Sequence, residues 1–118
     1  MSREKIIAEI NLNELQSRAL RASGLLKAMS NPVRLLVLCQ LAESEKSVGE
    51  LERVVDVSQS ALSQHLGILR SRGLVKFRRD GQTLYYSLAG REAATLLAAL
   101  YQVYCRPAKP TRRALARA

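Results

Sequence analysis

The dipeptide Asp80-Gly81 constrains the fold of this chain more than any other feature, because it separates two short segments with the composition of β-strands. Residues 74–77 (LVKF) and 83–88 (TLYYSL) are rich in aromatic and branched apolar side chains. Asp-Gly is the strongest short hairpin signal, since its turn needs residues that tolerate positive φ. Apolar and polar residues alternate along both segments, which predicts one buried and one solvated face. The sequence therefore predicts a β-hairpin.

The segments before this hairpin have helical periodicity. Apolar residues recur at helical spacing across Leu12–Met29, which predicts a first helix. Asn31 can cap a second helix, and Pro32 fits its first position, where a missing N–H costs nothing. Residues 33–42 are apolar on most faces, so we expect this second helix to lie at the centre of the core.

Two further helices follow closely on one another. Ser47 and Glu50 have the spacing of a capping box, which predicts a short helix ending near residue 54. Ser58 is the expected cap of the next helix, Gln59–Ser71, and Gly73 stands where a glycine commonly ends a helix. On that helix Leu62, Leu66 and Leu69 share one face and are expected in the core, so the polar residues lie opposite them.

The last helical segment, residues 91–105, is apolar on nearly every face. In a small protein such a helix needs a partner on more than one side, and a second copy of the chain is the simplest one. The sequence therefore predicts a homodimer.

The length of 118 residues suits one domain, and the formal net charge of +9 is unevenly distributed. Residues 1–11 are expected to form an amino-terminal extension and residues 12–105 the domain. Residues 106–118 have five cationic residues and no acid, and are expected to be a poorly ordered tail. Basic regions in the tail and around the hairpin favour a polyanion as partner.

The chain is expected in the cytoplasm, with no membrane partner. It has no apolar secretion signal near its start, and no apolar stretch reaches the roughly 20 residues that span a bilayer. Two cysteines in a basic chain fit a reducing compartment better than a disulfide scaffold.

Two short helices, a tight turn between them and a basic hairpin indicate a winged helix-turn-helix that binds double-stranded DNA. The predicted fold is mainly α, with five helices plus a β-wing. Helix Gln59–Ser71 is the expected recognition helix, because short uncharged hydrogen-bonding side chains near its start suit base edges in a major groove. The candidate DNA-binding residues are Gln59, Ser60, Ser63, Gln64, His65, Arg70, Arg78, Arg79 and Gln82.

Several segments together resemble the ArsR/SmtB family of small dimeric winged-helix repressors. They are residues 31–36 (NPVRLL), 58–66 (SQSALSQHL), 69–75 (LRSRGLV) and 79–88 (RDGQTLYYSL), and the resemblance covers roughly residues 12 to 105. It implies a dimer built from the first and last helices, and release from an operator when an inducer is sensed. Many members sense metals, but two cysteines and one histidine do not supply the four ligands that zinc prefers. No metal and no cofactor is therefore expected.

The cysteines are the candidate sensing residues. Sequence alone leaves open whether Cys39, in the second helix, and Cys105, in the last helix, meet or are two unrelated buried thiols. Their placement resembles the persulfide-sensing branch of the family. That resemblance implies that Cys39 is the thiol persulfidated by a reactive sulfur species, that Cys105 resolves the product into a bridge, and that sulfide-response genes are controlled.

Four alternatives stay open. The first is a metal-responsive repressor of the same family, and the second is a regulator that responds to general oxidants. The third is a two-cysteine peroxidase, and the fourth is a dimer that coats any duplex. An enzyme is not expected, since no acid–base partner is evident beside either cysteine.

Overall fold

The computed structural model describes residues 11–105, which contain five α-helices and three strands. The helices are α1 (Leu12–Met29), α2 (Pro32–Glu43), α3 (Val48–Val54), α4 (Gln59–Ser71) and α5 (Glu92–Leu100), and α5 continues as a π-helical turn, Tyr101–Cys105. The strands are β1 (Lys46–Ser47), β2 (Val75–Asp80) and β3 (Thr83–Leu88). The predicted amino-terminal extension, apart from residue 11, and the predicted basic tail lie outside the described residues.

The helix starts follow from their capping residues. The Asn31 side chain accepts hydrogen bonds from the backbone N–H groups of Val33 and Arg34, at 2.9 and 3.1 Å. Ser47 and Glu50 form the predicted capping box at the start of α3, and the Ser58 hydroxyl accepts from the backbone of α4 at 3.1 Å. These caps satisfy N–H groups that have no partner inside their own helix.

The predicted hairpin is part of a three-stranded antiparallel sheet with the order β1-β3-β2. Asp80 pairs with Thr83 across the turn, and Gly81 has φ of 63°, as a two-residue turn of this kind requires. The edge strand β1 was not predicted. It has two residues, Lys46 and Ser47, which is too short to give a period-two pattern.

The core lies between the helices and one face of the sheet. Its fully buried side chains are Val37, Leu38, Leu51, Leu62, Leu66 and Leu69. The predicted core face of α4 is therefore confirmed, and so is the central position of α2, which contributes Val37, Leu38 and Leu41. The alternation predicted for the hairpin holds less well, because Phe77 is 36% exposed and lies at the margin of the core, beside Tyr86.

The last helix differs in detail from the predicted segment 91–105. The α-helix begins at Glu92, and the final five residues widen into the π-helical turn. Only Ala93 and Leu97 of α5 are buried in the single chain, while Tyr101, Val103 and Tyr104 are largely exposed.

Apolar side chains are exposed on α1 as well, at Leu12, Leu20 and Leu26. Apolar surface on the first and last helices thus remains uncovered by the chain's own residues between 11 and 105.

Among the residues that the structure describes, no helix is both long and apolar enough to cross a membrane.

Candidate DNA-binding surface and thiol pair

Helix α4, the predicted recognition helix, turns a polar face to solvent. Gln59, Ser60, Ser63 and Gln64 are all exposed, on the side opposite the buried leucines. The Ser60 hydroxyl lies 3.2 Å from the hydroxyl of the capping residue Ser58. The side chains of Gln59, Ser63 and Gln64 make no hydrogen bond to any other residue in the range 11–105. Donors and acceptors near the start of this helix are therefore available to an external partner.

The wing carries two neighbouring arginines in different environments. Arg78 forms a two-pronged ion pair with Glu45, at 2.7 and 3.0 Å, and its guanidinium lies 4.5 Å from the centre of the Tyr85 ring. The hydrogen bond from Arg78 lowers the pKa of Glu45, and Glu45 raises the pKa of Arg78. Arg79 and Gln82 are exposed and form no side-chain hydrogen bond or ion pair within the described part of the chain.

A third arginine connects α4 to the wing. The Arg70 guanidinium, in the last turn of α4, lies 4.6 Å from the centre of the Phe77 ring on β2. An arginine over an aromatic face is attracted to it, so this contact links the wing to the end of α4.

His65 is the one predicted site residue on α4 that is half-buried. Its Nδ1 lies 3.3 Å from an amino nitrogen (Nη1) of Arg34, and the Nε of Arg34 donates to the carbonyl oxygen of Ala28 at 2.6 Å. The prediction did not include Arg34. The signal was present in the sequence, because Arg34 is the single charged residue in the apolar stretch 32–42.

Glu45 was also missed. It stands just before β1, and the sequence gives no indication of that strand. Since β1 brings the segment before it alongside the hairpin, the partner of Arg78 became evident only in the folded chain.

The two thiols are free and exposed, rather than buried as one of the open alternatives held. Cys39 lies within α2, Cys105 ends the π-helical turn, and α2 packs against α5. The pKa of Cys39 is raised, first by partial burial of its thiol and second by the charge of Cys105. Within the range 11–105 no three His, Cys, Asp or Glu side chains cluster in a way that could hold a metal ion.

The known proteins that this chain resembles are bacterial transcriptional regulators. Residues 31–76 match the family model described as "Bacterial regulatory protein, arsR family". The chain is 46% identical over 101 residues to the biofilm growth-associated repressor of Agrobacterium fabrum, covering 86% of each protein. It is also 46% identical over 98 residues to the transcriptional activator HlyU of Vibrio cholerae, covering 83% of this chain and 91% of the relative.

The solved structures that resemble this fold are also those of transcriptional regulators. The structure of reduced HlyU from Vibrio cholerae superposes with a TM-score of 0.77 at 45% identity, over 80% of this chain and all of that one. A homodimeric winged helix-turn-helix DNA-binding domain from Mycobacterium bovis, a possible ArsR-family regulator, gives a TM-score of 0.69 at 29% identity, over 80% and 88% of the two chains.

Proposed function

The chain belongs to the ArsR family of bacterial regulatory proteins, and on that basis we propose that it is a homodimeric repressor released from its operator when reactive sulfur species bridge Cys39 and Cys105. Family membership makes it a winged-helix transcriptional regulator. The operator contacts, the inducer and the two-cysteine switch are the proposed part. We place it in the cytoplasm, acting on sulfide-response genes.

The DNA-binding part of the proposal rests on the exposed polar face of α4. Gln59, Ser60, Ser63 and Gln64 carry hydrogen-bonding groups that are exposed to solvent and suit base edges in a major groove. Arg79 and Gln82 at the wing would contact the phosphate backbone. The proposed contacts also include His65, Arg70 and Arg78, although Arg78 is held by Glu45 in the free protein.

The dimer follows from the uncovered apolar residues of α1 and of the segment after α5. A second copy packed on Leu26, Tyr101 and Val103 would remove these side chains from water. Two copies related by a two-fold axis would present two α4 helices to successive turns of DNA, about 34–36 Å apart. The homodimeric domain from Mycobacterium bovis supports this assembly.

The observation that supports the switching part is the position of the two cysteines: Cys39 lies on α2, Cys105 ends the turn after α5, and α2 packs against α5. Both thiols are free and exposed, so each is accessible to a small sulfur species, and the charge of Cys105 contributes to the raised pKa of Cys39. One of the solved relatives, HlyU from Vibrio cholerae, is described as being in its reduced form.

The chemistry is thiol–polysulfide exchange. The Cys39 thiolate attacks a sulfane sulfur of an inorganic polysulfide, the neighbouring S–S bond breaks, and a shorter polysulfide anion leaves with the electron pair. Cys39 is then a persulfide. The Cys105 thiolate attacks Sγ of Cys39 and expels hydrosulfide, which leaves a disulfide. If Cys39 carries two added sulfur atoms, attack on the first of them gives a trisulfide bridge instead.

A binding experiment with mass analysis tests the proposal. Fluorescence anisotropy measures the affinity of the purified dimer for the DNA upstream of its own gene, before and after inorganic polysulfide. We expect weaker binding, together with an intact mass that shows one intramolecular bridge. Cys39→Ser and Cys105→Ser should bind the operator and ignore polysulfide. A response that survives both substitutions would exclude the two-cysteine switch.

The same assay separates the alternatives. Release by zinc or arsenite indicates a metal-responsive regulator, and an equal response to hydrogen peroxide indicates a general thiol-redox regulator. Catalytic turnover of peroxide would indicate an enzyme. Equal affinity for operator and random DNA, dominated by salt, would indicate a protein that coats any duplex. A reporter gene decides the direction of regulation, since one relative is a repressor and another an activator.

A further inference from the structure

Arg34 connects three parts of the fold through one side chain. It lies in the first turn of α2, its Nε donates to the Ala28 carbonyl at the end of α1, and its Nη1 is 3.3 Å from Nδ1 of His65 on α4. The Ala28 carbonyl is among the last four of α1, which have no partner inside the helix. A guanidinium there satisfies the carbonyl and complements the negative end of the helix dipole.

The contact with Arg34 selects the tautomer of the neutral His65 ring. A guanidinium carries donors and no acceptor, so Nδ1 of His65 must be the acceptor in this hydrogen bond. The neutral ring then carries its proton on Nε2. Nε2–H is therefore the group that His65 can offer to a phosphate oxygen or a base acceptor.

The core face of α4 is apolar, with Leu62, Leu66 and Leu69 buried, whereas the contact that reaches His65 from α2 is polar. The Arg34–His65 hydrogen bond is directional, and it involves the residue next to Gln64. Gln64 is among the residues proposed to read the operator.

We infer that Arg34 is a positioning residue for DNA binding. It holds the His65 ring in the form protonated on Nε2 and anchors the recognition helix to the junction of α1 and α2. The expected effect of Arg34 on operator affinity rests on the proposed DNA-binding function. The Arg34–His65 contact itself is measurable in the free protein.

The first experiment uses NMR on the full chain labelled with ¹⁵N-histidine and free of any affinity tag. The chain has a single histidine, so its ring signals need no assignment. At a pH where the ring is neutral, we expect the native protein to show the Nε2–H form alone. Arg34→Met should populate the Nδ1–H form as well. A substantial population of the Nδ1–H form in the native protein would overturn the inference.

The second experiment is a double-mutant cycle on operator affinity with reduced protein. We expect Arg34→Met and His65→Ala each to lower affinity about tenfold, the size expected when the hydrogen bond from His65 Nε2–H to a DNA phosphate is lost. The double variant should be no weaker than either single variant, because both remove the same contact. A double variant about a hundredfold weaker would mean that the two residues act independently, and would overturn the inference.

Two variants control for charge and folding. Arg91→Met removes one positive charge from an exposed position outside α4 and the wing, and should change affinity much less. Arg34→Lys keeps the charge but cannot reproduce the planar fork that reaches both acceptors. If lysine restores the native affinity, Arg34 acts by charge alone and the positioning role is wrong. If the native protein binds no DNA, the proposed function fails, while the NMR result still decides the Arg34–His65 contact.

Discussion

Arg78 and Glu45 form a two-pronged ion pair, with the Nη2–Oε1 distance at 2.7 Å and the Nε–Oε2 distance at 3.0 Å. The pair joins the segment before β1 to β2, and both side chains remain partly exposed. Solvent weakens such pairs, so its contribution to folding is small. Its main consequence concerns DNA, since a guanidinium engaged by a carboxylate on the same protein is less available to a phosphate.

Glu45→Gln should therefore strengthen binding to any duplex. The substitution releases the Arg78 fork, and one additional phosphate contact steepens the slope of log K against log salt by about 0.9. Glu43→Gln is the matched control, because it removes the same charge from an exposed acid that forms no ion pair among residues 11–105. Salt titrations of the two variants on random DNA measure the difference. Equal slopes would mean that Arg78 does not reach the backbone even when released.

The ion pair also has a defined acid dependence. The pKa of Glu45 is lowered by its hydrogen bond from Arg78. The stabilisation it gives is complete above the unfolded-state pKa of the carboxyl and is lost as the pH falls through the lower folded-state value. Salt titrations of Glu45→Gln and native protein should accordingly be compared near neutral pH, where the pair is intact.

The recognition helix and the wing should differ in their effect on specificity. Gln64→Ala should reduce discrimination between operator and random DNA by about 1–3 kcal/mol, since the proposed base contact is lost. Arg79→Ala should weaken all duplexes alike and reduce the salt slope by about 1, since the proposed phosphate contact is lost. Affinities on operator and random DNA at several salt concentrations measure both effects. Exchanged results would mean that the wing reads sequence and the helix only anchors.

Gly67 gives a prediction about stability. It lies on the exposed face of α4, and a Cβ added there would meet no atom within 4 Å. Because its φ is not positive, alanine fits without strain. Gly67→Ala should raise the free energy of unfolding by about 0.5–1 kcal/mol, by restricting the unfolded chain and favouring the helix. Urea denaturation of the reduced protein measures it. A lower urea midpoint for Gly67→Ala would contradict this prediction. It would show that the methyl group at position 67 destabilises the protein although the single chain has room for it.

The helices and the hairpin were predictable because each leaves a local signature. Asn31-Pro32, the Ser47–Glu50 capping box, Ser58 and Asp80-Gly81 mark element boundaries within a few residues of sequence, and the structure confirms each one. The spacing of the leucines on α4 likewise predicted which of its faces is buried.

The missed features depend on contacts between distant residues. Strand β1 exists only because Lys46 and Ser47 pair with β3, some forty residues later. Glu45 meets Arg78, and Arg34 meets His65, across separations of 33 and 31 residues. No local pattern fixes such partners, although an arginine in an apolar stretch indicates that one must exist.

The pH dependence of Cys39 reactivity tests the thiol pair directly. Burial and the charge of Cys105 both raise the pKa of Cys39, and the thiolate is the reactive form. Cys105→Ser removes the neighbouring charge and leaves the burial. The pKa of Cys39 should therefore fall part of the way to its ordinary value, and the alkylation rate at a pH below that pKa should rise.

The measurement is the rate of iodoacetamide modification of Cys39 against pH, followed by peptide mass spectrometry in the native protein and in Cys105→Ser. The variant's profile should lie at lower pH than the native one. Ser87→Ala, a half-buried position on β3 outside the thiol pair, is the control and should leave the profile unchanged. Identical profiles for native and Cys105→Ser would mean that the two thiols do not influence each other in solution. The bridge between Cys39 and Cys105 would then require a rearrangement of α2 against the last helix.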